Sequence, residues 1–192
     1  EYRMPAMILA DGMLGQMMEP VEIRERKDAQ QKEKDWAVCG HQNKRPHNII
    51  NSLYIEPDAL EKTVLERFAK YETIKANEQR AESFMTEDAD IVVVAYGACA
   101  RVAKNAVRAA RAMGIKAGLV RPITLWPFPT DAINKAAETA KVMLAVEMSM
   151  GQMVDDVKLA INCKRPVEFF GRTGGVIPTP NEVLDQIKKL AG

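Results

Sequence analysis

The chain has 192 residues, enough for one full α/β domain and part of another, and its 27 Lys and Arg against 26 Asp and Glu leave a net charge of +1. That balance argues against a nucleic acid or an anionic membrane surface as the main partner. Three cysteines, Cys39, Cys99 and Cys163, are odd in number and too far apart for a CxxC pair, which fits a reducing cytoplasm better than a disulfide framework.

No apolar run approaches membrane-spanning length and no charged-then-apolar signal segment opens the chain, so a cytoplasmic protein is expected. Beginning with Glu1 rather than Met, it reads as a fragment or a processed product.

Met4 to Ala10 reads as a buried strand, followed by Asp11-Gly12 and a short apolar helix ending before Pro20. One strand and one helix cannot form a core, so the segment is either the tail of a preceding domain, the favoured reading, or an element packed on the main sheet. Arg24 to Asp35 is a mixed charge run with no apolar face, as in a solvated linker. Trp36 to Ser52 carries Gly40, Pro46 and several Asn, an irregular connector with Trp36, Val38, Ile49 and Ile50 as anchors onto a neighbour. Cys39-Gly40-His41 has half the makings of a metal site, but His47 alone does not complete four ligands. Pro57, with Asp58 and Glu61 close behind, opens a helix to about Ala76 with Leu60, Val64, Phe68 and Tyr71 on one face. Ala81 to Met85 reads as an edge strand before a Thr86-Glu87-Asp88 turn.

From Asp90 one plan repeats: an apolar run, a turn, an alanine-rich amphipathic segment. Ile91 to Tyr96, Ala117 to Val120 and Val142 to Val146 lack polar alternation, as strands buried on both faces do, and Val167 to Phe170 adds a fourth. Between the first two, Val102, Ala103, Ala106, Val107, Ala110 and Met113 recur at helical spacing, and Gly114 sits where a C-terminal cap belongs. Pro122 is expected to stop the second strand, and Arg121 to Pro129 to form a stiff apolar loop. Thr130 is expected to cap a helix with Ile133, Ala136, Ala137 and Ala140 inward. Ser149 to Gln152 has a capping-box pattern before Val154, Val157 and Ile161, and Thr179 to Glu182 has another before Val183, Leu184, Ile187 and Leu190. This alternation predicts βαβ crossovers and a mainly parallel α/β fold.

Candidate chemistry is sparse. The turn after the first long strand, Gly97-Ala98-Cys99-Ala100, has one glycine where a phosphate loop has several, and a plain tight turn accounts for it. Gly171 to Gly175, with Arg172, follows a late strand and is read as a structural turn. Both histidines lie in the connector, so no Ser-His-Asp or Cys-His set is suggested. Cys99 and Cys163 are read as small buried hydrophobes. Glu147 differs: it ends a central strand beside a helix start, where such sheets place ligands or partners. Without a companion base, hydrogen bonding to a loop or a neighbouring domain is favoured over chemistry.

The segments ADIVVVAYG, GIKAGLVRPITLWPFP and VEMSMGQM, in this order, resemble the alpha subunit of 2-oxoacid:ferredoxin oxidoreductases, and WAVCGHQNKRPHNIINSLYIEP is similar to the 2-oxoisovalerate (3-methyl-2-oxobutanoate) branch. The resemblance implies a three-layer αβα fold, transketolase C-terminal-like, with a five-stranded, mainly parallel sheet and one antiparallel edge strand. It also implies a division into a tail of a thiamine diphosphate pyrimidine-type domain (1–23), a connector and helix (24–79) and the C-terminal-like domain (80–192). The family reaction converts a 2-oxoacid and coenzyme A to acyl-CoA and carbon dioxide, passing electrons through iron-sulfur clusters to ferredoxin. Thiamine diphosphate and the clusters are expected elsewhere in the assembled enzyme, so this chain is expected to hold no catalytic, cofactor or metal residue and to be inactive alone. Cys99 stands where relatives commonly have Ser or Thr. Leu125, Trp126 and Phe128, with Glu147 and Gln152, are expected to contact the thiamine-binding domains, since both segments leave the C-terminal ends of what read as neighbouring strands. A free-standing flavodoxin-like module for a small ligand or nucleotide is the alternative, disfavoured by the missing phosphate loop.

Overall fold

The structure, a computed structural model, describes residues 2–18, 20–23 and 33–192. It divides into two compact units, Glu1–Ala6 with Met18–Glu72, and Met7–Met17 with Thr73–Gly192.

In the first unit, the described part of the connector is a series of turns and bends, as its composition predicts. The Arg45 guanidinium and the Asn48 amide both donate to the Ala37 carbonyl, at 3.0 and 3.2 Å, and the Arg3 guanidinium lies 4.5 Å from the Trp36 ring centre. Residues 24–32 of the charge run lie outside the described residues. The expected anchors Trp36, Val38, Ile49 and Ile50 are all exposed. Helix α2, Pro57–Asn77, forms as its proline start predicts, and Ile74 is its buried residue, while Leu60 and Phe68 are exposed.

The expected strand at Met4 to Ala10 is not formed. A strand needs a partner for its amides and carbonyls, and among the described residues none pairs with it; Met7, Ile8 and Leu9 are exposed. The short helix after it, α1 (Gly12–Gln16), does form, with the Asp11 carboxylate accepting the Leu14 N–H at 2.7 Å.

The second unit holds a five-stranded sheet of β1 (Ala81–Phe84), β2 (Ile91–Val94), β3 (Ala117–Pro122), β4 (Val142–Glu147) and β5 (Val167–Gly171), in the order β1-β3-β2-β4-β5. All neighbours are parallel except β1, antiparallel to β3 at the edge. Alternate residues of the central strands feed two cores. Ile91, Val93, Leu144 and Val146 face helices α3 (Gly97–Ala112) and α6 (Pro180–Ala191), while Val92, Val94, Met143 and Ala145 face α4 (Thr130–Thr139) and α5 (Met153–Ala160). Two apolar faces on one sheet explain the absence of polar alternation and give the three-layer αβα architecture.

Helix ends show why the boundaries fall where they do. Gly114, at φ +82, closes α3, with the Ile115 N–H reaching back to Ala110 O and the Gly114 N–H to Arg111 O, both at 3.0 Å. Thr179 and Glu182 form the expected capping box of α6. Three expectations need correction. Strand β3 runs through Pro122, because β2 stops at Val94, opposite Val120, and beyond it the proline faces the edge strand alone, opposite Ala81. Thr130 is the first residue of α4, not its cap; Pro129 before it has no side-chain acceptor, and Gln79 supplies one from 52 positions away. Cys163 is exposed, just past the end of α5 at φ +53, whereas Cys99 is buried as expected.

Candidate functional site

In an open α/β sheet the natural crevice lies where successive strand ends send their connections to opposite faces. Here that point is between β2 and β4: β2 leads into α3 on one face and β4 into α5 on the other. Tyr96 and Gly97 form one lip and Glu147 the other. Gly97 turns out of β2 with φ +56, and a Cβ there would meet Asp11 Oδ2 at 3.5 Å.

Glu147 is the buried carboxylate of this crevice, 2% exposed. Its oxygens accept the N–H of Gln152 at 3.1 Å and those of Met153 and Val154 at 3.0 Å, and the Ser149 hydroxyl donates to it at 3.0 Å. Ser149 Oγ in turn accepts the Gly151 N–H at 3.1 Å. This corrects the expected capping box: α5 starts at Met153, Ser149 is too far ahead to cap it, and the strand-end glutamate caps it instead. Glu147 therefore hydrogen-bonds its own chain, and its negative charge settles on the three free amides of a helix start.

Two further acidic residues, Asp155 and Asp156, stand in the first turn of α5, and the charge of Glu147 acts on Asp156. Partial desolvation, followed by the charges of Glu147 and Asp155, raises the pKa of Asp156. Burial, and then the charge of Glu147, pushes the Tyr96 phenol up. The Cys99 thiol is pushed up to about 11, chiefly by burial and then by Asp11 and Glu147. A thiol held so far from ionisation is a poor nucleophile.

The expected interface residues divide. Trp126 is 50% exposed and Leu125 and Gln152 are exposed, whereas Phe128 is half-buried against the core under α4 and α5. The two segments share the C-terminal edge of the sheet, but β3 and β4 are not neighbours as expected; β2 lies between them. Tyr96 and Met148 are exposed along the same edge.

Sequence reasoning missed Gln79 and Arg80. Gln79 Oε1 accepts from the Thr130 hydroxyl and the Asp131 N–H, each at 3.2 Å. Arg80 O accepts the N–H groups of Ile123 and Thr124 at 2.9 and 3.2 Å, and the Arg80 N–H donates to Thr124 Oγ1 at 3.0 Å. These contacts span more than 40 positions, and no local pattern announces them.

Residues 89–183 match the pyruvate:ferredoxin oxidoreductase core domain II. Over all 192 residues the chain is 45% identical to ketoisovalerate oxidoreductase subunit VorB of Methanothermobacter marburgensis. The chain belongs to the 2-oxoacid:ferredoxin oxidoreductase family. It covers 54% of that relative, and so spans about half the length of the curated relatives it matches. It is also 32% identical to 2-oxoglutarate synthase subunit KorA of the same organism, covering 97% of this chain and 56% of that one. Among solved structures, a 2-oxoglutarate:ferredoxin oxidoreductase from Magnetococcus marinus, with 2-oxoglutarate, coenzyme A and succinyl-CoA bound, shares the fold. Its TM-score is 0.61 at 20% identity, over 72% of this chain and 24% of that one.

The described residues show no converging set of cluster ligands. An iron-sulfur cluster needs converging thiolates, and here one cysteine is buried and two are exposed, with no cluster of three or more His, Cys, Asp or Glu able to hold a metal among the described residues. At the sheet crevice, the Glu147 carboxylate is committed to the α5 amides. Among the described residues no helix is long and apolar enough to cross a membrane.

Proposed function

We propose that this chain is part of the alpha subunit of a 2-oxoacid:ferredoxin oxidoreductase acting on a branched-chain 2-oxoacid, and that it is a structural and subunit-interface region without the catalytic centre. The observation that carries the reading is 45% identity over the whole chain to a ketoisovalerate oxidoreductase subunit. The assembled enzyme would oxidatively decarboxylate the 2-oxoacid to acyl-CoA, with thiamine diphosphate and iron-sulfur clusters held by other domains or subunits and ferredoxin as acceptor. In this reading residues 1–23 belong to a thiamine-binding domain, 24–79 connect, and 80–192 form the domain described above, in the cytoplasm.

Leu125, Trp126 and Gln152 then meet the thiamine-binding domains, while Phe128 and Glu147 support them from beneath. Supporting this are the exposure of Leu125, Trp126 and Gln152 along one sheet edge and the occupation of Glu147 by its own helix. The prolines at 127 and 129 stiffen the first loop and lower the cost of ordering it on binding. Calorimetric titration with thiamine diphosphate and magnesium tests the noncatalytic part: the chain alone should give no saturable heat at micromolar cofactor. Saturable binding without other subunits would overturn it.

A further inference from the structure

The loop from Ile123 to Pro129 is held at both ends by two consecutive residues. At its start, Arg80 O accepts the N–H groups of Ile123 and Thr124, and the Arg80 N–H donates to Thr124 Oγ1. At its end, Gln79 Oε1 takes the Thr130 hydroxyl and the Asp131 N–H at the start of α4. The Gln79 contact is needed because Pro129, at the cap position, has no side-chain acceptor and α4 would otherwise start with that amide unanswered. Between the two ends Leu125 and Trp126 stand exposed. A loop closed at both ends on a dipeptide has lost most of its freedom before any partner arrives, so the ordering cost of docking is met within the chain.

We propose that Gln79 is a positioning residue for docking: with Arg80 it clasps the loop so that Leu125 and Trp126 are presented in the conformation the partner domain accepts. This rests on the reading that Trp126 meets the thiamine-binding domains. The clasp is side chain at one end and largely backbone at the other, so Gln79 is the part that substitution can release. Gln79→Ala removes the acceptor; Gln79→Glu keeps it and adds negative charge at a helix start, where charge is favourable.

The test uses the full subunit, measuring hydrogen exchange of the peptide covering 123–131 by mass spectrometry and affinity for the partner subunits. Gln79→Ala should speed exchange in that peptide by about tenfold while leaving β2 and β4 protected. It should also weaken assembly by roughly fivefold, the size of one lost cap. Gln79→Glu should restore both. Should Gln79→Ala not fold, Thr124→Val removes the side-chain acceptor at the other end, leaving its two backbone bonds, and should produce smaller changes in the same two directions. Unchanged exchange in the loop overturns the clasp. Faster exchange with full assembly, while Trp126→Ala still weakens assembly, overturns the positioning role but leaves the docking reading in place. Full assembly of Trp126→Ala overturns the docking reading itself, and the role given to Gln79 with it.

Discussion

The Glu147 carboxylate accepts the Val154 N–H at 3.0 Å, joining the last residue of β4 to the first turn of α5. With Met153 and Gln152 on the same carboxylate, removal of the side chain leaves three amides of a helix start without their acceptor, two of them in buried hydrogen bonds. Glu147→Ala should cost about 2–3 kcal/mol, the range for hydrogen bonds to a charged group plus orphaned donors. Glu147→Gln keeps one acceptor oxygen and should cost about half as much. Urea denaturation of both variants measures this. A loss below about 0.5 kcal/mol for the alanine variant would show that the helix start finds other partners.

Asp156 lies in the first turn of the same helix, and its pKa is raised by partial desolvation and then by Glu147 and Asp155. A pKa higher in the folded than in the unfolded chain means that protonation favours folding. The favourable contribution is complete below the ordinary aspartate value and is lost as pH rises through the folded value. Asp156→Asn should therefore raise the melting temperature at pH 7, and the gain should fade as pH approaches the ordinary aspartate range. Melting curves across that range decide it; a gain independent of pH would assign the effect to something other than charge.

Cys99 is 3% exposed with its thiol pushed up to about 11, while Cys39 and Cys163 are exposed. Alkylation with iodoacetamide at pH 8 should modify Cys39 and Cys163 first, with Cys99 slower by roughly a hundredfold or more. Peptide mass mapping over time reads the order. Comparable labelling of Cys99 in the folded chain would mean that α3 opens readily at its start.

Trp126→Ala should weaken assembly with the partner subunits by about 2 kcal/mol or more, the threshold of an interface hot spot. Its effect on folding should be smaller, since the ring is 50% exposed. Binding and melting need to be measured on the same variant. A melting loss that accounts for the whole binding loss would make the ring a cover for its own domain.

The sheet was legible because its central strands bury both faces, which leaves an unbroken apolar run in sequence, and because Gly114 and the Thr179-Glu182 pair mark helix ends locally. Ala81 to Phe84 has no such run: the residues before the Thr86-Glu87-Asp88 turn suggest an edge strand, and its antiparallel sense comes from the family resemblance. What escaped was non-local. Glu147 could be placed at a strand end, but its service as cap to α5 depends on the turn through Ser149 and Gly151. Gln79 reaches α4 across 52 positions, beyond any periodicity. The order β3-β2-β4, which separates the two halves of the expected interface, follows from pairing between strands and not from the order of strands in the chain. At the N-terminus the apolar run Met4 to Ala10 had the composition of a strand but no described strand to pair with.

The most direct measurement is the coenzyme A-dependent reduction of ferredoxin, or of a viologen, by the enzyme assembled with this chain, with 3-methyl-2-oxobutanoate, pyruvate and 2-oxoglutarate compared in turn. The account predicts reduction with kcat/KM for the branched-chain acid higher than for pyruvate by about tenfold or more, the scale on which pockets discriminate one or two methyl groups, and higher than for 2-oxoglutarate. No 2-oxoacid-dependent reduction, or a higher kcat/KM for pyruvate or 2-oxoglutarate, would contradict it.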